Sequence, residues 1–519
     1  VLGGWYVVDL TGSKQITHFF MSKFYVTTSI AYVNAGPHVG YAMELLQADI
    51  LARYHRLQGK DAFFLTGTDE HGLKIAQVAE ERGVWPQELA NENSALFRDL
   101  TEKLGLSNNY FVRTTEEKHV AYAQEMWKKL EAAGDLYKSD YEGLYCVGCE
   151  RFFQEKELVE GNCPIHKKPV VKVKEENYFF RLSKYADAIK EKIVSGELQI
   201  VPESRKNEML NFFEEGINDV SFSRPRESVK WGIEVPGNPE QLMYVWCDAL
   251  TNYISVIDRD RYWPADVQVI GKDIVRFHAI YWIGMLMSAG MALPKTIMVH
   301  GFITSEGEKM SKSLGNVKDP FEYLEKYGRE ALRYFLLREI PTLGDGDFSQ
   351  TRFEIVYNEE LANTFGNLVS RVLAMNKKYF EGKVPEAGSD DGFAELLDNA
   401  WKKLDLEMES FDIKKAIEVV VELGYAANKY VDDTKPWVLA KNDQEKLSAV
   451  IYNLLEVIRH IALMLLIFIP DTAGKILNVY QSGFQVENFV WEKQRNYGFL
   501  QSGHDLGELA VLFPRIEKV

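Results

Sequence analysis

Phe24-Tyr25-Val26-Thr27-Thr28-Ser29-Ile30-Ala31-Tyr32-Val33 is a run of β-branched and aromatic residues, broken by Asn34-Ala35-Gly36-Pro37 and followed by His38-Val39-Gly40-Tyr41. The run reads as a strand and the break as a turn. Beyond it Val39, Met43, Leu46, Ile50, Tyr54 and Leu57 recur at three- and four-residue intervals until Gly59, the pattern of an amphipathic helix. His38 and Gly40 therefore stand where a strand hands over to a helix N-terminus. Such a terminus offers unpaired N–H groups and a positive dipole end to a phosphate. Gly40, with no side chain, leaves room for a flat ring to approach the backbone. Taken alone, a His at a helix start is more often a cap or a surface residue.

The same strand-to-loop passage repeats. Asp61 to Leu65 runs into Gly67-Thr68-Asp69-Glu70-His71-Gly72, and Val267 to Ile270 into Gly271-Lys272-Asp273. Thr296 to Val299 leads to His300-Gly301-Phe302 and then to Lys309-Met310-Ser311-Lys312-Ser313, which comes after the turn Ser305-Glu306-Gly307-Glu308. Strands alternating with helices predict an α/β fold with a Rossmann-like doubly wound parallel sheet, whose ligands bind at the carboxyl edge. Every polar cluster named here falls at such an edge. Two lysines among hydroxyls on a loop make a cationic grip suited to a polyphosphate, although an isolated Lys/Ser loop is usually solvated surface.

The 519-residue chain is too long for one core and predicts three or more domains. Its 46% apolar and 26% charged residues are those of a globular protein. No run of about eighteen apolar residues appears, so no membrane span is expected. The most apolar stretch, Ile461 to Ile469, ends at Pro470 and reads as a buried helix. A net charge of −16 weighs against nucleic acid on average, without excluding a local basic track. Four cysteines are too few for a disulfide framework and point to a reducing cytoplasm. Residues 1–20 carry no signal-peptide pattern and read as a leader foreign to the rest of the chain, with Met21 as the expected start.

Cys146-Val147-Gly148-Cys149 and Cys163-Pro164-Ile165-His166 form C-x2-C…C-x2-H, the spacing of a tetrahedral zinc site. Four protein ligands leave no open position, so one structural Zn2+ is expected, with Cys247 left over and buried. From about residue 355 the strands stop. Leu361, Phe365, Leu368, Val372 and Leu373 open a series of amphipathic helices lasting to about 480. Asn367 and Arg371 lie one helical turn apart and share a face. Trp437 follows Pro436 at a helix start, where it can stack on an unpaired base or pack into the core.

His38-Val39-Gly40-Tyr41 together with Lys309 to Ser313 resembles the paired signatures of class I aminoacyl-tRNA synthetases. The stretches Leu65 to Gly72, Tyr244-Val245-Trp246-Cys247-Asp248-Ala249-Leu250, Ile270 to Ile274 and Lys435-Pro436-Trp437 resemble the methionyl family among them, from about Lys23 to the C-terminus. The resemblance implies activation of methionine by ATP, with Mg2+, and transfer of the methionyl group to the terminal adenosine of initiator and elongator tRNA(Met). It implies ATP-binding roles for His38, Gly40, Tyr41, Lys309, Met310, Ser311, Lys312 and Ser313, with His38, Lys309 and Lys312 catalytic. Tyr41 departs from the family, which usually has a second His there. The resemblance further implies a methionine pocket of Ile30, Tyr32, Asp69, Arg224, Trp246, Ala249, Leu250, Tyr253, Ile274, Phe277 and His278. Asp69 would take the ammonium, with Arg224 paired to it, and Tyr253 and His278 would donate to the sulfur. It makes Asn367, Arg371 and Trp437 anticodon readers.

The implied organisation is a leader at 1–20, catalytic halves at 21–119 and 226–303, a zinc-bearing connective insertion at 120–225, the lysine-loop region at 304–354, and a helical anticodon-binding domain at 355–519. A cytoplasmic monomer is expected. Another class I synthetase, a silent tRNA-binding relative and a nucleotidylyltransferase are the alternatives. The last has no need of a helical half, and a silent relative would lack His38 or the lysine loop.

Overall fold

Lys23–Thr28 (β1) lies at the centre of the main sheet, where Tyr25 and Val26 are fully buried. The structure is a computed structural model that describes residues 7–8, 14–15, 22–146, 151–153, 155–165, 167–310, 316–481, 491 and 494–517. Most of the leader, and Met21, lie outside these residues.

Ala31–Tyr32 (β2), Asp61–Asp69 (β3), Tyr110–Arg113 (β4), Gln199–Val201 (β5), Val267–Gly271 (β6) and Thr296–His300 (β7) complete a seven-stranded sheet. Its order is β5-β7-β6-β1-β3-β2, with β4 also pairing β3, and every pairing is parallel. Strands buried on both faces read as continuous apolar runs, and β6 and β7 are buried at every position. The edge strand β5 comes from within 120–225, too short and too far from its partner to be recognised by pattern. The same range folds a four-stranded antiparallel sheet around the long hairpin of Leu136–Cys146 and Val171–Phe180.

Val39–Leu57 (α1) follows the first strand-to-helix turn, and all but a few of its residues are buried. Asp49 on α1 is fully buried. Burial pushes its carboxyl up, but the guanidinium groups of Arg53 and Arg333 reverse this and hold it below the usual carboxylate range. Arg333, on Arg329–Arg338 (α2), is also fully buried. It donates to Asp49 at 2.7 Å, to the Leu104 carbonyl at 3.1 Å and to the Phe468 carbonyl at 2.8 Å. A buried guanidinium stripped of its carboxylate costs about 3–5 kcal/mol, so this joint ties the sheet to the helical half.

That half runs from Gln350 to Tyr480 with no named strand among the described residues. Gln444–Leu465 is apolar and long enough to cross a membrane by composition, yet it is buried at the centre of the bundle as a core helix. It ends at Leu465, and the rest of the apolar stretch, Leu466 to Ile469, turns into the helix Pro470–Tyr480. The closing segment returns to the bundle, where Asn358 and Ile516 exchange two hydrogen bonds of 3.1 and 2.9 Å.

Candidate active site at the carboxyl edge of the sheet

His38 is the N-cap of α1, and its Nδ1 accepts from the N–H groups of Gly40 at 3.1 Å and Tyr41 at 3.4 Å. Val39 N–H donates to the Lys318 carbonyl at 3.1 Å and Ala42 N–H to the His38 carbonyl at 3.1 Å. The first-turn donors expected to meet a phosphate are therefore already satisfied. The dipole of α1 and the imidazole itself are what the terminus offers. With Nδ1 accepting, a neutral His38 carries its proton on Nε2.

A Cβ built on Gly40 would lie 2.9 Å from the His38 ring and 4.0 Å from the Met310 methyl group. The glycine thus makes room for the His38 ring, and Met310 of the lysine loop lies beside the His38 turn. Tyr41 also differs from expectation. Its side chain is buried, its ring meets Phe97 edge-on at 5.1 Å, and its hydroxyl donates to the Gly67 carbonyl at 3.2 Å. Burial raises its pKa far above the usual phenol value. Tyr41 is a core residue that ties α1 to β3, and its hydroxyl is engaged within the protein rather than offered to phosphates.

The lysine loop grows from Ile303–Ser305 (β8) and Glu308–Lys309 (β9), joined by Glu306 at φ 52° and Gly307 at φ 81°. Two successive positive φ values give the tight turn that a two-residue hairpin needs. The hairpin pairs in parallel with Gly346–Phe348 (β10). Asp345 accepts from the Phe302 N–H at 2.8 Å and from Lys272 at 2.7 Å, and Asp347 accepts from the Gly307 N–H at 2.7 Å. A side chain on Gly301 would lie 2.3 Å from the Gly344 carbonyl, so only glycine allows this close approach. Lys309 is placed in β9 by its backbone, whereas Ser311, Lys312 and Ser313 lie outside the described residues.

Beneath the hairpin, His300 at the end of β7 is buried and meets Glu44 of α1 at 2.8 Å through Nε2 and the Gly301 carbonyl at 2.8 Å through Nδ1. Both ring nitrogens face acceptors. Burial lowers the imidazole pKa, but the Glu44 carboxylate reverses this and raises it above its ordinary value.

Next to this edge lies an aromatic pocket. Val245–Ala249 (α3) carries Trp246, whose ring stacks on Phe277 at 3.9 Å and 2°. Phe277 and His278 sit on a π-helical turn, Phe277–Trp282, a wide helical turn frequent at functional sites. Ala249, Leu250 and Tyr253 are buried behind them and Ile274 is half-buried at the pocket. His278 Nδ1 faces the Ile274 carbonyl at 2.9 Å, and Nε2 lies 2.7 Å from the Tyr253 hydroxyl. Burial pushes the His278 imidazole down to about 4. A neutral ring that donates from Nδ1 must accept at Nε2, so His278 accepts a hydrogen bond from the Tyr253 hydroxyl and has no proton there to donate to a sulfur.

Tyr32 on β2 is half-buried against the cluster that holds Tyr253 and Phe277, Ile30 just before β2 is half-buried in a separate cluster with Tyr25 and Leu65, and Asp69 ends β3, where its carbonyl accepts from the Val33 N–H at 3.1 Å. Arg224 is buried, donates to Ser221 Oγ at 2.6 Å and to the Ser223 carbonyl at 2.7 Å, and lies 4.8 Å over the Tyr244 ring.

Of the cysteine motif, Cys146 and Cys163 are buried in one small cluster with Phe153, while Cys149 and His166 lie outside the described residues. Two soft thiol donors enclosed together suit a zinc ion. Cys247 is buried on α3, away from this cluster. Far along the chain, Asn367 is exposed at the end of the π-helical stretch Tyr357–Asn367, and Arg371 follows on Leu368–Phe380, 3.3 Å from Asp432. This helix contacts Pro436–Asn442, which displays Trp437 at 44% exposure, so Trp437 is not a core residue.

Sequence reading missed the roles of His71, His119, Asp248, Glu44 and His300. His71, Asp248 and His300 stand inside or beside the recognised motifs. Their signal was a titratable side chain in an apolar stretch, without a partner visible in sequence.

Residues 24–170 and 165–373 match the family model described as tRNA synthetases class I (M), and 384–519 match the anticodon binding domain of methionyl tRNA ligase. The chain is 43% identical to a methionine–tRNA ligase of Thermotoga maritima, spanning 95% of this chain and 80% of that one. It is 41% identical to one of Rhizobium meliloti, spanning 95% and 98%. A Mycobacterium tuberculosis methionyl-tRNA synthetase solved in complex with methionyl-adenylate superposes with a TM-score of 0.90 at 41% identity, covering 95% of this chain and all of that one.

Proposed function

The chain belongs to the methionyl-tRNA synthetases of class I, and from its geometry we propose which residues carry the reaction of that family. The reaction has two steps. The methionine carboxylate attacks the α-phosphorus of ATP, forming methionyl-adenylate as the bond to pyrophosphate breaks. The terminal adenosine hydroxyl of tRNA then attacks the activated carbonyl, and AMP leaves.

Little covalent chemistry falls to the protein, which aligns the nucleophile and offsets moving negative charge. His38 donates from Nε2 to the phosphate chain. Lys309 and Lys312 clamp the departing pyrophosphate, with Met310, Ser311 and Ser313 shaping the loop and Mg2+ accompanying ATP. The approach of Met310 to the His38 turn supports this pairing. Asp69 binds the methionine ammonium, Arg224 steadies that end of the site, and Ile30, Tyr32, Trp246, Ala249, Leu250, Tyr253, Ile274, Phe277 and His278 enclose the thioether. A missing methylene is worth only about 1–3 kcal/mol, so selectivity leans on sulfur–ring contacts of roughly 0.3–1.5 kcal/mol each as well as on shape. Cys146, Cys149, Cys163 and His166 hold one structural zinc that closes the loop between them.

Asn367, Arg371 and Trp437 read the anticodon of initiator and elongator tRNA(Met) on the helical domain at 355–519. The sheet halves at 21–119 and 226–303, the insertion at 120–225 and the loop region at 304–354 form the catalytic part. The protein works as a cytoplasmic monomer. The observation that carries the site assignment is the meeting of the His38 turn with the lysine hairpin, beside the Trp246–Phe277 pocket. Methionine-dependent pyrophosphate exchange tests it. Lys312→Ala should slow adenylate formation by about 10²–10³-fold with little change in methionine affinity. Equal losses in both would refute the clamp.

A further inference from the structure

A buried carboxylate behind the pocket links parts of the molecule that the reaction must hold in register. Asp248 lies on α3, two residues after Trp246, and is 1% exposed. Its Oδ2 accepts from His71 Nδ1 at 2.7 Å and its Oδ1 from His119 Nε2 at 2.7 Å. Both imidazoles are themselves buried. Burial pushes the Asp248 carboxyl up, and the two rings more than reverse it, so the group stays below the usual carboxylate range.

Each imidazole arrives from a different element. His71 lies two residues beyond Asp69, in the loop after β3. Trp231, 5.3 Å from the His71 ring, fixes that loop by donating from Nε1 to the Glu70 carbonyl at 2.6 Å and accepting the Gly72 N–H at 3.0 Å. His119 lies on Glu117–Ala132, the first helix after the sheet's β4, and its Nδ1 meets Ser255 Oγ at 3.0 Å, two residues beyond Tyr253.

We propose that Asp248 is a positioning residue that sets the distance between the ammonium end of the methionine site and its thioether wall, acting through His71 and His119. The inference rests on the assignment of Asp69 and Trp246 to methionine made above. Through His71 the carboxylate holds the loop that bears Asp69. Through its own helix it holds Trp246 and Ala249, and through His119 and Ser255 it reaches the next helix, Asn252–Ser255, which carries Tyr253. A ligand that must touch both ends at once depends on their spacing. A ligand that touches one end does not. ATP binds on the His38 side and is indifferent to it.

The test uses the whole enzyme and conservative pairs of variants. His71→Ala removes the donor to Asp248, whereas His71→Asn returns an N–H near the position of Nδ1. His119→Ala and His119→Gln stand in the same relation for Nε2. In pyrophosphate exchange each alanine variant should raise the methionine KM about tenfold, with ATP KM and kcat changed less than threefold. The Asn and Gln variants should recover most of the loss. Binding of an analogue lacking the ammonium group, read by fluorescence quenching, should be unchanged in all four. Methionine KM values within twofold of the parent in both alanine variants overturn the proposal. So does a parallel rise in methionine and ATP KM without conservative rescue, since that marks a scaffold residue. Asp69→Ala is run beside them. If it leaves methionine binding intact, the pocket assignment itself has failed, and that result is distinct from either outcome above.

Discussion

The Tyr253 hydroxyl donates to Nε2 of His278 across 2.7 Å, between two buried side chains. Because Nδ1 of the same ring faces the Ile274 carbonyl, the direction of both hydrogen bonds is set. Tyr253→Phe would strand a buried acceptor, at a cost of about 1–3 kcal/mol. Denaturant unfolding should lose that amount, and methionine KM should rise while ATP KM holds. A stable variant with parent-like methionine KM would show that the pair is dispensable.

The same ring makes stability depend on pH. Burial pushes the His278 imidazole down to about 4 from an ordinary 6.5. Between those values the unfolded chain binds a proton that the folded protein refuses, so this contribution falls as pH drops below about 6.5 and levels off near 4. From about pH 7.5 to 5 the parent should lose on the order of 2 kcal/mol more stability than His278→Asn. Parallel stability curves for the two proteins would contradict the assignment of a neutral, buried ring.

Tyr41→Phe keeps the ring against Phe97 and removes only the hydroxyl, which donates to the Gly67 carbonyl and lies 3.3 Å from Thr66 Oγ1. It should cost about 1 kcal/mol of stability and leave ATP KM within twofold. Tyr41→His, by contrast, empties part of a packed core and should destabilise more. A selective loss of ATP affinity in Tyr41→Phe would mean that the hydroxyl reaches the nucleotide after all.

Trp437 can be removed without opening a cavity, because 44% of it is exposed. Trp437→Ala should leave pyrophosphate exchange and thermal stability unchanged. Its aminoacylation KM for tRNA should rise by the equivalent of about 1–3 kcal/mol of lost stacking. Loss of exchange activity as well would assign it a structural role.

Elemental analysis should find about one zinc per chain, as four ligands of this spacing require. Cys163→Ser should lower that content and expose 140–170 to proteolysis, with the main sheet intact. A zinc-free protein of full activity would exclude the ion.

Much of this was legible in sequence because it is local. The run at 24–33, its Gly-Pro break and the period of α1 place His38 at the sheet edge without help from the rest of the chain. What stayed hidden is pairwise. Whether Tyr41 faces a ligand or the core depends on the Gly67 carbonyl, twenty-six residues away in sequence. That Gly40 also makes room for the His38 ring is a contact no spacing rule reveals. The donor direction at His278 is fixed by Ile274 and by a π-helical turn that ordinary helical periodicity does not mark. Asp248 is an acid in an apolar helix until His71 and His119 arrive from two other elements. Strand β5 is three residues long and gains its place only by pairing with β7.

Helix α1 is gripped along its length. His38 caps one end, Asp49 is bonded to Arg333 at its middle, and Tyr54 near the other end donates to Asp405 of the bundle at 2.9 Å. Through these three bonds a single helix joins the His38 turn at the sheet edge to the helical bundle, so a change in the pose of either end is felt along one continuous backbone.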